Sequence, residues 1–481
     1  MRHLFIVVAV ALAYPISGQI CTCESNFEWV KKTFEENDAG FQYIIDKKGQ
    51  AAYNIHNQLM LEKIKAAKTS MECTGLLYEW LRFFRSGHIG IERLTNETSA
   101  QPSVPQTVNE SIAYESWEVD IPQFEKYIET KQESDYEGIW DISGVYKIGI
   151  QKEGTNYVGF IIESSVDSWK QGLVKLKIEK HDEKVKTTFY MRDHSSVESG
   201  EIEMLSNNYL QIGGQHILKR LSPVFPDDPS VENYLKAINA QNPYLDELNE
   251  TTLYLRIPSF QIESKPAIDR VLADNKEKIL QTENLIIDLR NNGGGASMSF
   301  FELSPFLYTN PIRGIGIEFL STELNNKRSL EHSNNPNFNE NTRQWYRNNY
   351  DVLQGRLGEF VKLSGEDVTI HNQDTVYDYP KNVGIIIDRG CASATEQFLL
   401  NAKQSKKVKL FGTSTYGMLD VANMYSVGSP CREFALHYCL SRSLGLSEMA
   451  IDDIGIQPDY HLDKTIPKYK WVEFVNDILN Q

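Results

Sequence analysis

Two stretches of the chain put reactive side chains where a strand gives way to a loop. In VGIIIDRGCASATEQFLLNA the strand ends near Asp388 and a helix begins at about Ala394, so Ser393 stands at the helix start. A serine there has two uses. Ser393 and Glu396 make the Ser-x-x-Glu pattern of a capping box, in which each side chain serves the other's backbone amide. The same position suits a nucleophile, because the Ala394 amide is a free donor that can face a developing oxyanion. Cys391, two residues upstream, is a rival nucleophile, although its place at the strand end favours burial or a disulfide. In NLIIDLRNNGGGAS a strand runs through Arg290 into Gly293, Gly294 and Gly295. Glycines let the backbone approach a ligand closely and turn its amides toward an anion. Neither the G-x-G-x-x-G pattern nor a Walker lysine accompanies them, so a nucleotide phosphate is not the expected anion. Taken alone, a plain tight turn explains this loop equally well.

The elements around these junctions have a clear rhythm. Beyond the proline-rich SPVFPDDPS, short apolar strands alternate with helices, as in TTLYLRIPSF, SKPAIDRVLADNKEKIL, NLIIDLR, NVGIIID and KVKLFG. Strands that are apolar on both sides and joined by helices predict a buried, mostly parallel sheet. Residues 110–222 instead hold partly alternating runs rich in Ile, Val, Tyr and Phe with polar turns between, the pattern of an antiparallel sheet or small barrel. Residues 25–93 carry apolar side chains at helical spacing. The fold class expected is therefore α/β with an N-terminal helical domain and a β-rich, barrel-like middle domain. The boundaries read as 20–98 for the helices, 110–222 for the β region and 229–481 for the core.

Composition narrows the partners. The 481 residues include 49 Lys plus Arg against 65 Asp plus Glu, a formal charge of −16. Such a surface repels phosphate backbones, and no basic patch offsets it, so nucleic acid is not an expected partner. Arg2 and His3 precede the apolar run LFIVVAVALAYPI and the small residues Ser17 and Gly18. This reads as a secretory signal peptide over residues 1–19, too short to span a bilayer stably. It predicts a secreted or periplasmic protein. Gln19 and Ile20 make a poor lipidation box before Cys21, which argues against lipoprotein anchoring. An oxidising compartment permits bridges between the Cys21/Cys23 pair and Cys73, and between Cys431 and Cys439. Zinc ligation fits these cysteines less well, because the C-x-C pair lacks a second pair at ligand spacing.

The two junctions together resemble the C-terminal-processing and tricorn-type serine peptidase family, also called tail-specific proteases. Its members typically carry D-L-R-N-N-x-G-G and, later, S-A-S-E or S-A-T-E. Here DLRNNGGG precedes SATE by roughly a hundred residues, with Gly293 where proline is common. The resemblance covers roughly residues 230–465 and reaches back to His88. It implies a crotonase/ClpP-like catalytic core, a serine endopeptidase and a protein or peptide substrate, with no metal or organic cofactor. Bacterial processing members pair the serine with a lysine 25 residues on, but position 418 is methionine. The tricorn-like branch uses a histidine from an N-terminal helical segment, and LRFFRSGHIGI offers His88 just after a helix. Arg85-Ser86 replaces the aspartate often found before it, and Ser86 is a candidate to position the imidazole.

The acid that completes such a triad aligns with Asp452 in SEMAIDDIGIQPD, with Glu448 and Asp453 as rivals. The resemblance thus implies Ser393 as nucleophile, His88 as general base, Asp452 as third member, and the Gly294 and Ala394 amides as oxyanion donors. Two other readings compete. Met418 in place of lysine suits an inactive peptide-binding member of the same fold. The β region alone suits a carrier of a small apolar ligand. The G-L-G-F-like loop of a PDZ domain is not found, so recognition of substrate C-termini through such a domain is not expected.

Overall fold

The computed structural model describes residues 21–94, 114–181, 184–214 and 216–481. The expected signal peptide and most of the linker after residue 94 lie outside them. The central sheet has six strands in the order Tyr244–Asn249, Thr252–Arg256, Asn284–Asp288, Asn382–Ile387, Val408–Gly412 and Tyr460–His461. The first pair is antiparallel and the rest are parallel. The inner strands are buried on both faces, as their unbroken apolar runs require. Leu255, Ile287, Ile385 and Leu410 pack on one face with Phe260, Phe300 and Phe398. Tyr254, Ile286, Ile386 and Phe411 pack on the other against Trp471 and Val475 of the C-terminal helix. Parallel pairing of Asn284–Asp288 with Asn382–Ile387 brings the glycine loop and the Ser393 turn out at the same sheet end.

An ion cluster fixes that end. Asp288 is fully buried and accepts from Arg290 Nη2 at 2.5 Å and from the Tyr254 hydroxyl at 2.7 Å. Arg256 Nη1 lies 3.5 Å from its carboxylate. Burial pushes the Asp288 pKa up, but Arg290 and Arg256 outweigh it and hold the carboxyl down at about 2. A folded pKa below the unfolded value of about 3.9 means stabilisation that is complete above that value and lost as pH falls toward 2. Asp288→Ala leaves two buried guanidiniums without their counter-charge, so it should destabilise the fold by about 3–5 kcal/mol. Urea unfolding at pH 7 checks this, and a loss under about 1 kcal/mol would contradict it.

The N-terminal helices Cys23–Asn37, Phe41–Lys48, Gln50–Lys65 and Ser70–Leu81 do not close a core by themselves. Val30, Phe34, Leu77, Trp80 and Phe84 share one apolar cluster with Phe434, Leu436, Tyr438 and Leu440. The last four belong to the strand Phe434–Ser443, which pairs antiparallel with Gly90–Arg93 just after His88 and with Val421–Gly428. This second sheet carries the His88 turn to the core. A disulfide joins Cys23 to Cys73, as expected, but Cys431 bonds Cys21 and leaves Cys439 a buried thiol. The reason is topological. The start of the first helix lies against the turn before Phe434, where Asn26 Nδ2 donates to Glu433 Oε2 at 2.7 Å. Cys439 instead points inward, its thiol donating to the His88 carbonyl at 3.3 Å.

The β region is one nine-stranded antiparallel sheet built from the strands between Gly138 and Ser222. Its edge strands, Ser196–Ser199 and Ile202–Leu205, are separated by only two residues, so the sheet curls into a nearly closed barrel. Trp140, Ile148, Ile150, Ile161, Leu176 and Leu210 fill its interior. Lys175 is buried there with its ammonium 4.0 Å from the ring centroids of both Tyr146 and Trp169. Burial brings its pKa down to about 8. The barrel rests on the core through Leu205 and Tyr209, which pack against Val231 and Tyr234.

Candidate active site

Ser393 sits at the start of the helix Ala394–Ala402 with φ +56° and ψ −118°. A non-glycine residue at positive φ is strained, and such strain persists only where surrounding contacts impose it. Glu396 imposes it here. Its buried carboxylate accepts from the Ser393 amide at 3.0 Å, the Thr415 hydroxyl at 2.5 Å, and the Gly417 and Met418 amides at 2.8 and 2.9 Å. The Glu396 carboxylate of the expected capping box is therefore also a hub that ties the serine turn to the loop 415–418.

His88 arrives from the other side of the molecule, also at positive φ. Its Nε2 lies 3.2 Å from Ser393 Oγ, across 305 residues of sequence. Its Nδ1 lies 2.8 Å from the Val421 carbonyl oxygen. A carbonyl only accepts, so Nδ1 carries the hydrogen and Nε2 turns its lone pair to the serine hydroxyl. Burial lowers the His88 pKa below its ordinary value, and Arg85 lowers it further. The Val421 carbonyl and the Asp452 charge oppose them without cancelling the shift.

Of the residues that hold the turn presenting His88, only Ser86 was expected in a positioning role. Arg85 is buried and forms a two-pronged pair with Asp38 at 2.8 and 2.6 Å. Its Nε and Nη2 also donate to the Gly87 and His88 carbonyls, both at 3.1 Å. The Ser86 amide and hydroxyl both donate to Asp453 Oδ1, at 3.0 and 2.5 Å. Ser86 therefore anchors the turn to Asp453 and does not bond the imidazole. Met418 fills the space beside Gly87, where any side chain would collide with its sulfur.

Asp452 is not where a triad acid would stand. Its Oδ1 accepts from the Leu419 and Asp420 amides at 2.6 and 2.8 Å, and its Oδ2 from the Val421 amide at 3.3 Å. Among the described residues no carboxylate is hydrogen-bonded to His88. The aspartate instead grips the three-residue segment whose last carbonyl holds Nδ1. Asp420 answers in kind, accepting from the Ile451 and Asp452 amides at 2.5 and 2.8 Å. Burial, with the nearby Asp452 charge, pushes the Asp420 pKa up to about 6. Glu448 is exposed, and its amide serves only a turn with Gly445.

The glycine loop also differs from expectation in one atom. Gly294 passes so close to the serine turn that a Cβ would lie 2.8 Å from Ala394 N and 3.0 Å from Ser393 Cβ, and its φ of +95° requires glycine. Its amide, however, donates to Asn292 Oδ1 at 3.1 Å and is not free to meet an oxyanion. Asn292 is fully buried and clamps the two junctions together. Its side chain donates to the Ile257 carbonyl and accepts from Thr395 Oγ1 at 2.8 Å, and its carbonyl accepts from Ala392 at 3.2 Å. Gly295 and Ala394 line a cavity of about 860 Å³ together with Ser393 and His88. Cys391 does not reach this cavity. It is fully buried, donates to the Leu289 carbonyl at 3.0 Å, and burial pushes its thiol pKa well up, which rules it out as the rival nucleophile.

Residues 251–462, both junctions included, match the sequence model of peptidase family S41. That stretch is an S41 serine-peptidase domain. No curated protein matches the chain in sequence. Among solved structures, mature CPAF complexed with lactacystin is 12% identical, with 95% of this chain and 97% of that one covered and a TM-score of 0.52. A second structure of mature CPAF is 11% identical, with 95% and 96% covered and the same TM-score of 0.52. The photosystem II D1 C-terminal processing protease is 11% identical over 96% of this chain and 98% of that one, with a TM-score of 0.38. At such identity the likeness to CPAF is one of fold. It extends across the helical, barrel and S41 regions alike. No described helix is long and apolar enough to cross a membrane.

Proposed function

We propose that the chain is a secreted endopeptidase whose S41 domain works through Ser393 and His88. The observation that carries this reading is the 3.2 Å approach of His88 Nε2 to Ser393 Oγ, with Nδ1 fixed by a backbone carbonyl. His88 takes the hydroxyl proton as Ser393 attacks a peptide carbonyl. The Ala394 and Gly295 amides beside the serine receive the oxyanion. The protonated imidazole then gives its proton to the leaving amine, and water resolves the acyl-enzyme by the same steps in reverse. Asp452 acts at one remove, holding the 419–421 segment so that the Val421 carbonyl stays on Nδ1. Its charge, one peptide segment away, also favours the imidazolium. Two disulfides fit an extracytoplasmic setting.

A general base must be neutral to act. The His88 pKa lies below 6.5, so kcat/KM should be flat at neutral pH and fall as pH drops through an inflection below 6.5. Burial raises the Asp420 pKa to about 6, so its titration also falls on the acid side of neutrality. The Asp420→Asn variant separates the two, because it should keep the acid-side inflection if His88 is responsible. An inflection that vanishes in that variant, or a rate that rises as pH falls, would overturn the role given to His88.

A further inference from the structure

The cavity at Ser393 holds a cation with no counter-charge among the described residues. Arg328, on the helix Glu323–Ser333, lines this cavity and is half-buried, yet it has no hydrogen-bond or ion-pair partner among the described residues. The ionisable groups that bear on it include Tyr346, Tyr425, the Cys439 thiol and His332, none of them a carboxylate. The acids nearby are engaged elsewhere. Glu331, one turn along the helix, accepts from the Tyr425 hydroxyl at 2.8 Å. Asp420, also on the cavity wall, is taken up by the Ile451 and Asp452 amides. Two more cations, Arg313 and Lys403, stand at the same cavity. This local excess opposes the chain's overall charge of −16. A partly desolvated guanidinium without a partner costs stability, and its five fixed donors match a carboxylate in two-pronged geometry.

We propose that Arg328 is a specificity residue that receives a carboxylate of the peptide substrate, either an acidic side chain near the scissile bond or a free C-terminus. The inference rests on the peptidase reading of the Ser393 cavity and deepens it. Arg313 and Lys403, more exposed, draw the acidic segment in, and Arg328 fixes it in register with Ser393.

The test uses quenched fluorescent peptides that differ at one position at a time, Glu against Gln, each made with a C-terminal acid and a C-terminal amide. At one position the acid should exceed its neutral isostere by about 10-fold or more in kcat/KM, because the neutral form leaves the guanidinium unpaired. That ratio should collapse toward one in Arg328→Gln and be partly kept in Arg328→Lys. A Glu/Gln effect identifies a side-chain carboxylate, and an acid/amide effect identifies the C-terminus. The same peptide pairs are titrated against Ser393→Ala protein, with and without Arg328→Gln, so that the binding ratio is read without turnover. Equal ratios with and without Arg328 would overturn the inference while leaving the peptidase reading intact. Absence of any Ser393-dependent hydrolysis would overturn the peptidase reading, and the binding ratios would still decide the role of Arg328.

Discussion

Ser393→Ala is expected to lower kcat/KM on an unfolded protein substrate by about 10⁴-fold or more, with the fold intact. The contacts that shape the turn belong to the backbone. The Ser393 amide still donates to Glu396, and the Ala392 amide still donates to Asn292. What disappears is the hydroxyl that faces His88. The unfolding free energy should therefore stay within about 0.5–1 kcal/mol of wild type. Progress curves with labelled casein and urea melts of both proteins measure the two halves. A variant that keeps more than about a tenth of the activity would show that the nucleophile lies elsewhere. Cys391 is not an alternative source of residual activity, since its sulfur is sealed from the cavity.

His88→Ala should cost a similar factor, about 10⁴, because among the described residues His88 alone is hydrogen-bonded to the Ser393 hydroxyl. Met418 occupies the place where processing members carry lysine and holds no proton to exchange. The informative contrast is Asp452→Asn. In a triad whose acid touches the imidazole, the amide replacement imposes the wrong tautomer and costs about 10⁴. Here Nδ1 faces a backbone carbonyl, so the tautomer survives the change. The loss comes from a looser 419–421 segment and a weaker field on the imidazolium. A displacement of about 1 Å is worth about 10²-fold, so Asp452→Asn should lose about 10²-fold and remain well above His88→Ala. Steady-state kinetics of the three variants decide this. Equal losses in Asp452→Asn and His88→Ala would mean that Asp452 meets the imidazole directly during turnover.

The parts of this site written in one place in the chain were legible there. NLIIDLRNNGGG and IIIDRGCASATE each read as a strand opening into a loop, and both loops leave the sheet at the same end. The barrel, too, followed from alternating β-branched runs. Contacts between distant segments were not readable. Arg85 looked like a lost aspartate, whereas its partner Asp38 stands 47 residues away and the pair sets the carbonyls around His88. Cys431 sits eight residues from Cys439, yet it bonds Cys21 across 410 residues because a helix start lies against its turn. Asp452 has the alignment of a triad acid but the hydrogen bonds of a loop clamp. Gly294 looked like an oxyanion donor because glycine was needed there. The need is steric, and Asn292 already holds its amide. A doubled asparagine before the glycines was the one local sign of that clamp.

In this mechanism His88 activates Ser393. A fluorophosphonate that reacts only with activated serines tests it without any knowledge of the natural substrate. Labelling the folded protein at neutral pH, followed by peptide mass mapping, should place one phosphonyl adduct on Ser393 and none on Cys391. The adduct should fall to background in His88→Ala. An unlabelled Ser393, or labelling that persists undiminished without His88, would contradict the mechanism.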